Sequence, residues 1–211
     1  MTFDPVHIDQ QATLALNSLH TAAGDHFWLM MSDHKVWIPF YLTLIFIILR
    51  RLGWRRGLIL VAACLVAFAL SDQLSTLVKR SVERLRPCYT TWMLENGLHT
   101  PEGRGGYFGF FSSHASNAFM LIACILTGLR ADPVCRHKDI ALIGYTWASL
   151  VAFSRIMMGK HYLGDVLTGI VFGWMVGWLC GLAAHWVMQI TDGSRRRNSG
   201  RRVPRPVHPS A

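Results

Sequence analysis

The sequence predicts an all-α, polytopic membrane protein of about five to six membrane helices with an N-terminal interfacial helix. Three observations carry this. Long apolar runs recur along most of the chain, charge is scarce, and the basic residues cluster between the runs. Hydrophobic residues make up 52% of the 211 and charged residues 16%, whereas a soluble domain carries about 25% charged residues. Mean hydropathy is +0.30. The same balance excludes a disordered chain, which would be polar. It also excludes a nucleic-acid binder, despite the formal net charge of +9, because such a protein needs a broad polar basic face.

The apolar runs cover residues 36–49, 57–78, 116–129, 139–153 and 164–190. A membrane helix needs about 20 residues, so the second and fifth are long enough and the others must borrow flanking residues. Arg50, Arg51, Arg55 and Arg56 follow the first run, and Arg130, Arg136 and Lys138 follow the third. Arg195, Arg196, Arg197, Arg201, Arg202 and Arg205 follow the fifth. If each run crosses once, these thirteen of the 21 basic residues share one face. Basic residues mark the cytoplasmic side.

Residues 1–35 form the N-terminal region. Ile8, Ala12, Leu16 and Leu19 recur at helical spacing, which predicts a helix lying in the interface, with Phe27 and Trp28 at headgroup level. A soluble arm is the alternative. No cleavable leader is read in residues 1–26, which have neither a basic start nor an apolar core. Residues 36–190 form the membrane domain. Residues 191–211, rich in Arg and Pro from Ser194 on, are expected as a disordered basic cytoplasmic tail. Of the five cysteines, Cys64, Cys124 and Cys180 lie inside apolar runs and the rest show no repeated spacing, so neither a disulfide framework nor a zinc site is expected.

Chemistry gathers on the opposite face. Lys79 ends the second run and Arg86-Pro87 follows seven residues later. Ser112, Ser113 and His114 precede the third run, Arg155 ends the fourth, and His161 and Asp165 flank the start of the fifth. Charged groups at a membrane boundary often only snorkel, but here three patches fall at one depth.

Lys79 to Pro87 resembles the K-x6-R-P motif of the type 2 phosphatidic acid phosphatase superfamily of membrane lipid phosphatases, and Ser154 to Asp165 resembles its S-R-x5-H-x3-D motif. The middle P-S-G-H motif survives only as Phe111-Ser112-Ser113-His114. The resemblance covers roughly residues 36–190. It implies that His161 is the nucleophile and forms a phosphohistidine, that Asp165 orients its ring, and that His114 is the general acid and then the base. Lys79, Arg86 and Arg155 would hold the phosphate, together with the hydroxyl and backbone N–H groups of Ser112 and Ser113. That division suits phosphoryl transfer, which is mostly positioning and electrostatic stabilisation. A His-x3-Asp pair could instead be half of a metal site, but three cations would repel a divalent ion, so no metal and no cofactor is expected.

The expected function is a membrane lipid phosphate or diphosphate phosphatase at the non-cytoplasmic face, in a bacterial inner (cytoplasmic) membrane, with undecaprenyl diphosphate favoured. Phosphatidylglycerol phosphate, phosphatidic acid and lipid A are alternative substrates, and phosphotransfer an alternative reaction. The expected partners are the lipid substrate and membrane lipids, with no nucleic acid. A vanadium haloperoxidase shares the oxyanion pocket but is soluble. A non-catalytic membrane binding protein is the rival outside catalysis. Elsewhere, Asp72 is expected to hydrogen-bond a neighbouring helix, Glu83 to pair with Lys79, residues 88–110 to form a long mobile loop, and Gly169, Gly173 and Gly177 to allow close helix packing.

Overall fold

Apolar runs with helix-forming interiors give a bundle of α-helices in the computed structural model, which describes residues 4–132 and 137–200, the side chains of 194–200 excepted. The helices are α1 (Pro5–Asn17), α2 (Ala22–Ser32), α3 (Ile38–Val82), the short α4 (Thr91–Glu95), α5 (Ser113–Gly128), α6 (Lys138–Met157) and α7 (Leu163–Gly200). Among the described residues there is no strand, only an isolated antiparallel bridge between Leu85 and Phe108. Four helices, α3, α5, α6 and α7, are long and apolar enough to cross a membrane.

The first two predicted spans are two arms of α3. Gly53 breaks them at φ 74°, ψ 165°, a left-handed value that glycine adopts without steric cost. The arms then fold against each other: a Cβ on Gly57 would come within 3.1 Å of the Leu49 Cα. The four arginines of this turn sit at the end of the bundle where Arg56 pairs with Asp192 of α7. Helix α7 continues through Gly200, past the expected span end at residue 190. Arg136, Cys135 and residues 201–211 lie outside the described residues.

Helices α5 and α7 form the closest pair. A Cβ on Gly169 would lie 2.6 Å from the Ser112 carbonyl oxygen, and Cβ atoms on Gly173 and Gly177 would run into the carbonyls of Ser116 and Met120. The glycine stripe therefore brings the two backbones together, as its spacing predicts. The core beside them joins Leu60, Met120, Ile122, Ile125 and Ala148.

Helix α1 leaves Val6 and Ile8 exposed, while Leu14 and Leu16 pack against the bundle. Its polar stripe faces in: Thr13 and Asn17 are fully buried. The Asn17 amide donates to the carbonyls of His99, Ile156 and Met157, and its oxygen accepts from the His99 N–H. The stretch expected as a mobile loop is packed: Cys88, Met93 and Leu98 are buried with Tyr162 as a small second core. A one-turn helix and α4 account for its ordered start.

Candidate active site

Every predicted site residue lies at the end of the bundle opposite the Arg50–Arg56 turn, because Lys79 ends α3, Ser112 and Ser113 begin α5, Arg155 ends α6 and Asp165 begins α7. His161 hangs in the tight connection between α6 and α7. Gly159 turns the chain there at φ 64°, and the N–H groups of Lys160 and His161 return to the Arg155 carbonyl at 3.0 and 3.3 Å. His161 is 2% exposed. Its Nδ1 faces Asp165 Oδ2 at 3.5 Å, across the turn into α7.

Asp165 is fully buried and fully engaged. Its Oδ2 accepts from the Tyr162 N–H at 3.1 Å, and its Oδ1 takes a charge-assisted bond from Arg84 Nη1 at 2.7 Å. Arg84 also donates through Nη2 to Asp9 of α1 at 2.7 Å and lies 4.1 Å over the Tyr162 ring. Asp9 in turn accepts from the Gly164 N–H at 2.8 Å, and Thr13 Oγ1 from the Leu163 N–H at 2.9 Å. Helix α1 thus caps the first turn of α7. Burial alone would lower the Arg84 pKa, but the carboxylates of Asp165 and Asp9 outweigh it and raise it.

Sequence reasoning missed Arg84, Asp9 and Thr13. Arg84 lies within the x6 stretch of the first motif, and an arginine two residues before Arg86 could have flagged it; nothing local marks Asp9, which meets α7 across 155 residues.

The three cations expected to hold phosphate differ from Arg84 in having no carboxylate partner. Among the described residues no ion pair involves Lys79, Arg86 or Arg155. Arg155 is 6% exposed; its Nη1 bonds the Ser32 hydroxyl of α2, while its Nε meets no protein acceptor. Lys79 bonds the Ser113 hydroxyl rather than Glu83, whose N–H closes α3 on the Lys79 carbonyl at φ 50°. Arg86 is fixed by Nε donation to the Phe108 carbonyl at 3.1 Å, leaving its two Nη groups facing the Gly105–Gly106 turn. Burial pushes its pKa down.

A buried cation without a counter-ion is costly unless an anion arrives. All three positive charges act on both His161 and His114. For His161, burial first, then Arg155, Arg86 and Lys79, hold the pKa well below that of a free histidine. Its imidazole is therefore neutral at pH 7, the form with a nucleophilic lone pair. His114 lies on the first turn of α5 and is exposed toward the space beside the site.

The two serines part. Ser112 is fully buried: its hydroxyl caps α5 by accepting from the Ala115 N–H, and its own N–H donates to the Asp165 carbonyl at 3.0 Å. Its N–H is therefore used within the fold, while its hydroxyl accepts and keeps a proton to donate; Ser113 adds a second hydroxyl beside Lys79. Asp72 also departs from expectation. Its neighbour Ser71 makes the interhelical bonds instead, at 2.7 Å to Ser116 and 2.7 Å to Asn117.

The chain is similar to known membrane lipid phosphatases. The chain is 30% identical over 182 residues to a lipid A 4'-phosphatase of Bacteroides thetaiotaomicron, covering 84% of this chain and 77% of that one. It is 27% identical over 207 residues to a lipid A 4'-phosphatase of Porphyromonas gingivalis, covering 98% and 81%. The crystal structure of a transmembrane PAP2 type phosphatidylglycerolphosphate phosphatase from Bacillus subtilis shares the fold, with a TM-score of 0.64 at 21% identity over 82% of this chain and 83% of that one. The PAP2 superfamily model matches residues 60–189, and the chain belongs to that superfamily as a membrane lipid phosphatase.

Proposed function

We propose that this protein hydrolyses the phosphate monoester of a lipid A type saccharolipid through a phosphohistidine on His161. The observation that carries the reading is the set of three cations without carboxylate partners, Lys79, Arg86 and Arg155, around a neutral buried histidine. The 30% identity to a lipid A 4'-phosphatase supports the saccharolipid over the polyprenyl diphosphate favoured from sequence.

In this mechanism the phosphate takes the place of the missing counter-ion, held by the Arg86 and Arg155 forks, Lys79 and the Ser113 hydroxyl. His161 Nε2 attacks phosphorus while Nδ1–H faces Asp165, which fixes the tautomer. Bound phosphate offsets the three cations that disfavour a charged His114, so His114 enters the reaction protonated and the P–O bond to the lipid breaks as it gives that proton to the leaving oxygen. Water then attacks the phosphohistidine, His114 takes the proton back, and phosphate leaves with Nε2 restored. The developing charge is met by fixed cations in a water-poor site.

The thirteen basic residues at the other end of the sequence pattern support a site facing the exterior of the inner membrane. Radiolabelled lipid A in detergent micelles tests the proposal. A brief quench should yield labelled protein that is stable to base and labile to acid, and phosphate release should drop by about 10⁴-fold or more in His161→Ala. Turnover by His161→Ala at the wild-type rate would overturn the mechanism.

A further inference from the structure

Ser113 and His114 also line a chamber of about 600 Å³ between the two arms of α3, α5 and α6, a volume in the range of small-molecule pockets. Its deep walls are apolar, formed by residues such as Leu44, Ile48, Phe68 and Trp147. Its rim adjoining the reaction carries Ser113 and His114 and two further polar side chains, Asp72 and Asn117. Asn117 lies one turn beyond His114 on α5, about 4.5 Å along the axis.

The hydrogen bonding of this pair is half complete. The Ser71 hydroxyl donates to Asn117 Oδ1 at 2.7 Å, which fixes the amide so that its NH₂ is the free end. Among the described residues nothing accepts from that NH₂, and no side chain or N–H donates to the Asp72 carboxylate. Asp72 belongs to a membrane-crossing helix, where an ionisable group is expensive and marks function by default. An acceptor and a donor are therefore presented together, one turn from the general acid, on the wall of a largely apolar chamber, which also holds Ser32, His34 and Tyr41.

We propose that Asp72 and Asn117 form a specificity subsite for the carbon skeleton next to the scissile phosphate ester. Asp72 accepts from a hydroxyl or amide N–H there, and Asn117 donates to a hydroxyl or acyl oxygen, while the acyl chains fill the chamber below. A saccharolipid ring and a glycerol headgroup both offer this chemistry. A polyprenyl phosphate offers neither group, so the subsite would select against it. The inference rests on the saccharolipid phosphatase reading and deepens it.

The full chain in detergent micelles is assayed with lipid A, phosphatidylglycerol phosphate and undecaprenyl phosphate, comparing wild type with Asp72→Asn, which keeps size and shape, and Asn117→Leu. Each substitution should lower the ratio of kcat/KM for lipid A to that for undecaprenyl phosphate about tenfold or more, the loss expected for a hydrogen bond to a charged or buried polar group. An equal fall for phosphatidylglycerol phosphate supports a subsite that reads hydroxyls in general, and a fall confined to lipid A supports one that reads the sugar. Ratios unmoved for both lipids overturn the subsite, as do equal losses on all three substrates. Wild-type protein inactive on lipid A but active on phosphatidylglycerol phosphate overturns the saccharolipid reading instead, and the glycerol ratio then decides the subsite. Asn117→Asp, with its side chain still bonded by Ser71, repeats the measurement if Asn117→Leu is not recovered folded.

Discussion

Two arginines within three residues of chain meet opposite fates. Arg84 is saturated: one Nη holds Asp165, the other holds Asp9, and its plane covers Tyr162. Arg86 has only a backbone carbonyl at Nε and no carboxylate. The halves of the site around them differ in the same way. On the α7 side, Asp9, Arg84 and Asp165 form a chain of engaged groups that ends facing His161, 3.5 Å away. On the other side, Lys79 of α3 and Arg155 of α6 have no ion-pair partner among the described residues, and Asp72 and Asn117 line an opening with bonding capacity to spare. The nucleophile must be fixed before substrate arrives, since orientation is where much of catalysis lies, whereas the binding half must wait for its ligand.

Breaking the saturated half should therefore hurt turnover without touching recognition. Arg84→Ala leaves the buried Asp165 carboxylate without its cation and frees α1 from α3, so kcat should fall about 100-fold on every lipid phosphate alike, with KM nearly constant. Arg84→Lys, which keeps the charge but not the fork, should recover part of the loss. A rise in KM with kcat preserved would move Arg84 into the binding half.

Breaking the unsaturated half should do the reverse and also move the pH profile. Arg86→Gln removes a bidentate phosphate contact and should cost about 10- to 100-fold in kcat/KM. His161 owes its lowered pKa first to burial and then to Arg155, Arg86 and Lys79. Removing one positive neighbour raises that pKa, so protonation silences the nucleophile sooner as pH falls. The acid limb of kcat/KM should shift to higher pH in Arg86→Gln relative to wild type, and an unmoved limb would place its origin elsewhere.

The motif residues were legible in both halves. Lys79, Arg86, Ser113, His114 and Arg155, with His161 and Asp165 of the saturated half, sit at fixed spacings near helix ends, so a local pattern finds them. The five apolar runs likewise foretold the bundle, and the glycine period foretold the approach of α5 and α7. What stayed hidden depends on contacts distant in sequence. Asp9 looks like a polar residue of a surface helix until α1 folds over the start of α7. The Ser112 N–H looks like a phosphate donor until the Asp165 carbonyl takes it. Residues 88–110 look like a loop because their small core needs Tyr162 to complete it.

The chamber gives a smaller test of the same contrast. Ala118 of α5 lines it and is 4% exposed. Ala118→Phe fills part of the volume, so kcat/KM for a long-chain lipid phosphate should drop about tenfold, while a short-chain phosphate that reaches only the cation site should lose less than about twofold. Equal losses on both would show that the chamber supports the site rather than receiving the lipid.

The smallest effect belongs to the scaffold both halves share. Gly173 faces the Ser116 backbone so closely that a Cβ has no room, and neither helix can shift locally because Gly169 and Gly177 hold the same spacing a turn above and below. Gly173→Ala must push α5 and α7 apart, at about 1–3 kcal/mol of overpacking, equivalent to about 2–12 °C in thermal midpoint for a domain of this size. Gly193→Ala meets nothing within 4 Å and should hold or slightly raise the midpoint, because alanine is the better helix former. Since Ser112 and Asp165 are joined across this same seam at 3.0 Å, residual kcat in Gly173→Ala should fall by a few-fold with the midpoint. A lowered midpoint with unchanged kcat would mean that the α5–α7 seam carries stability alone, and that α1 through Arg84 suffices to place Asp165.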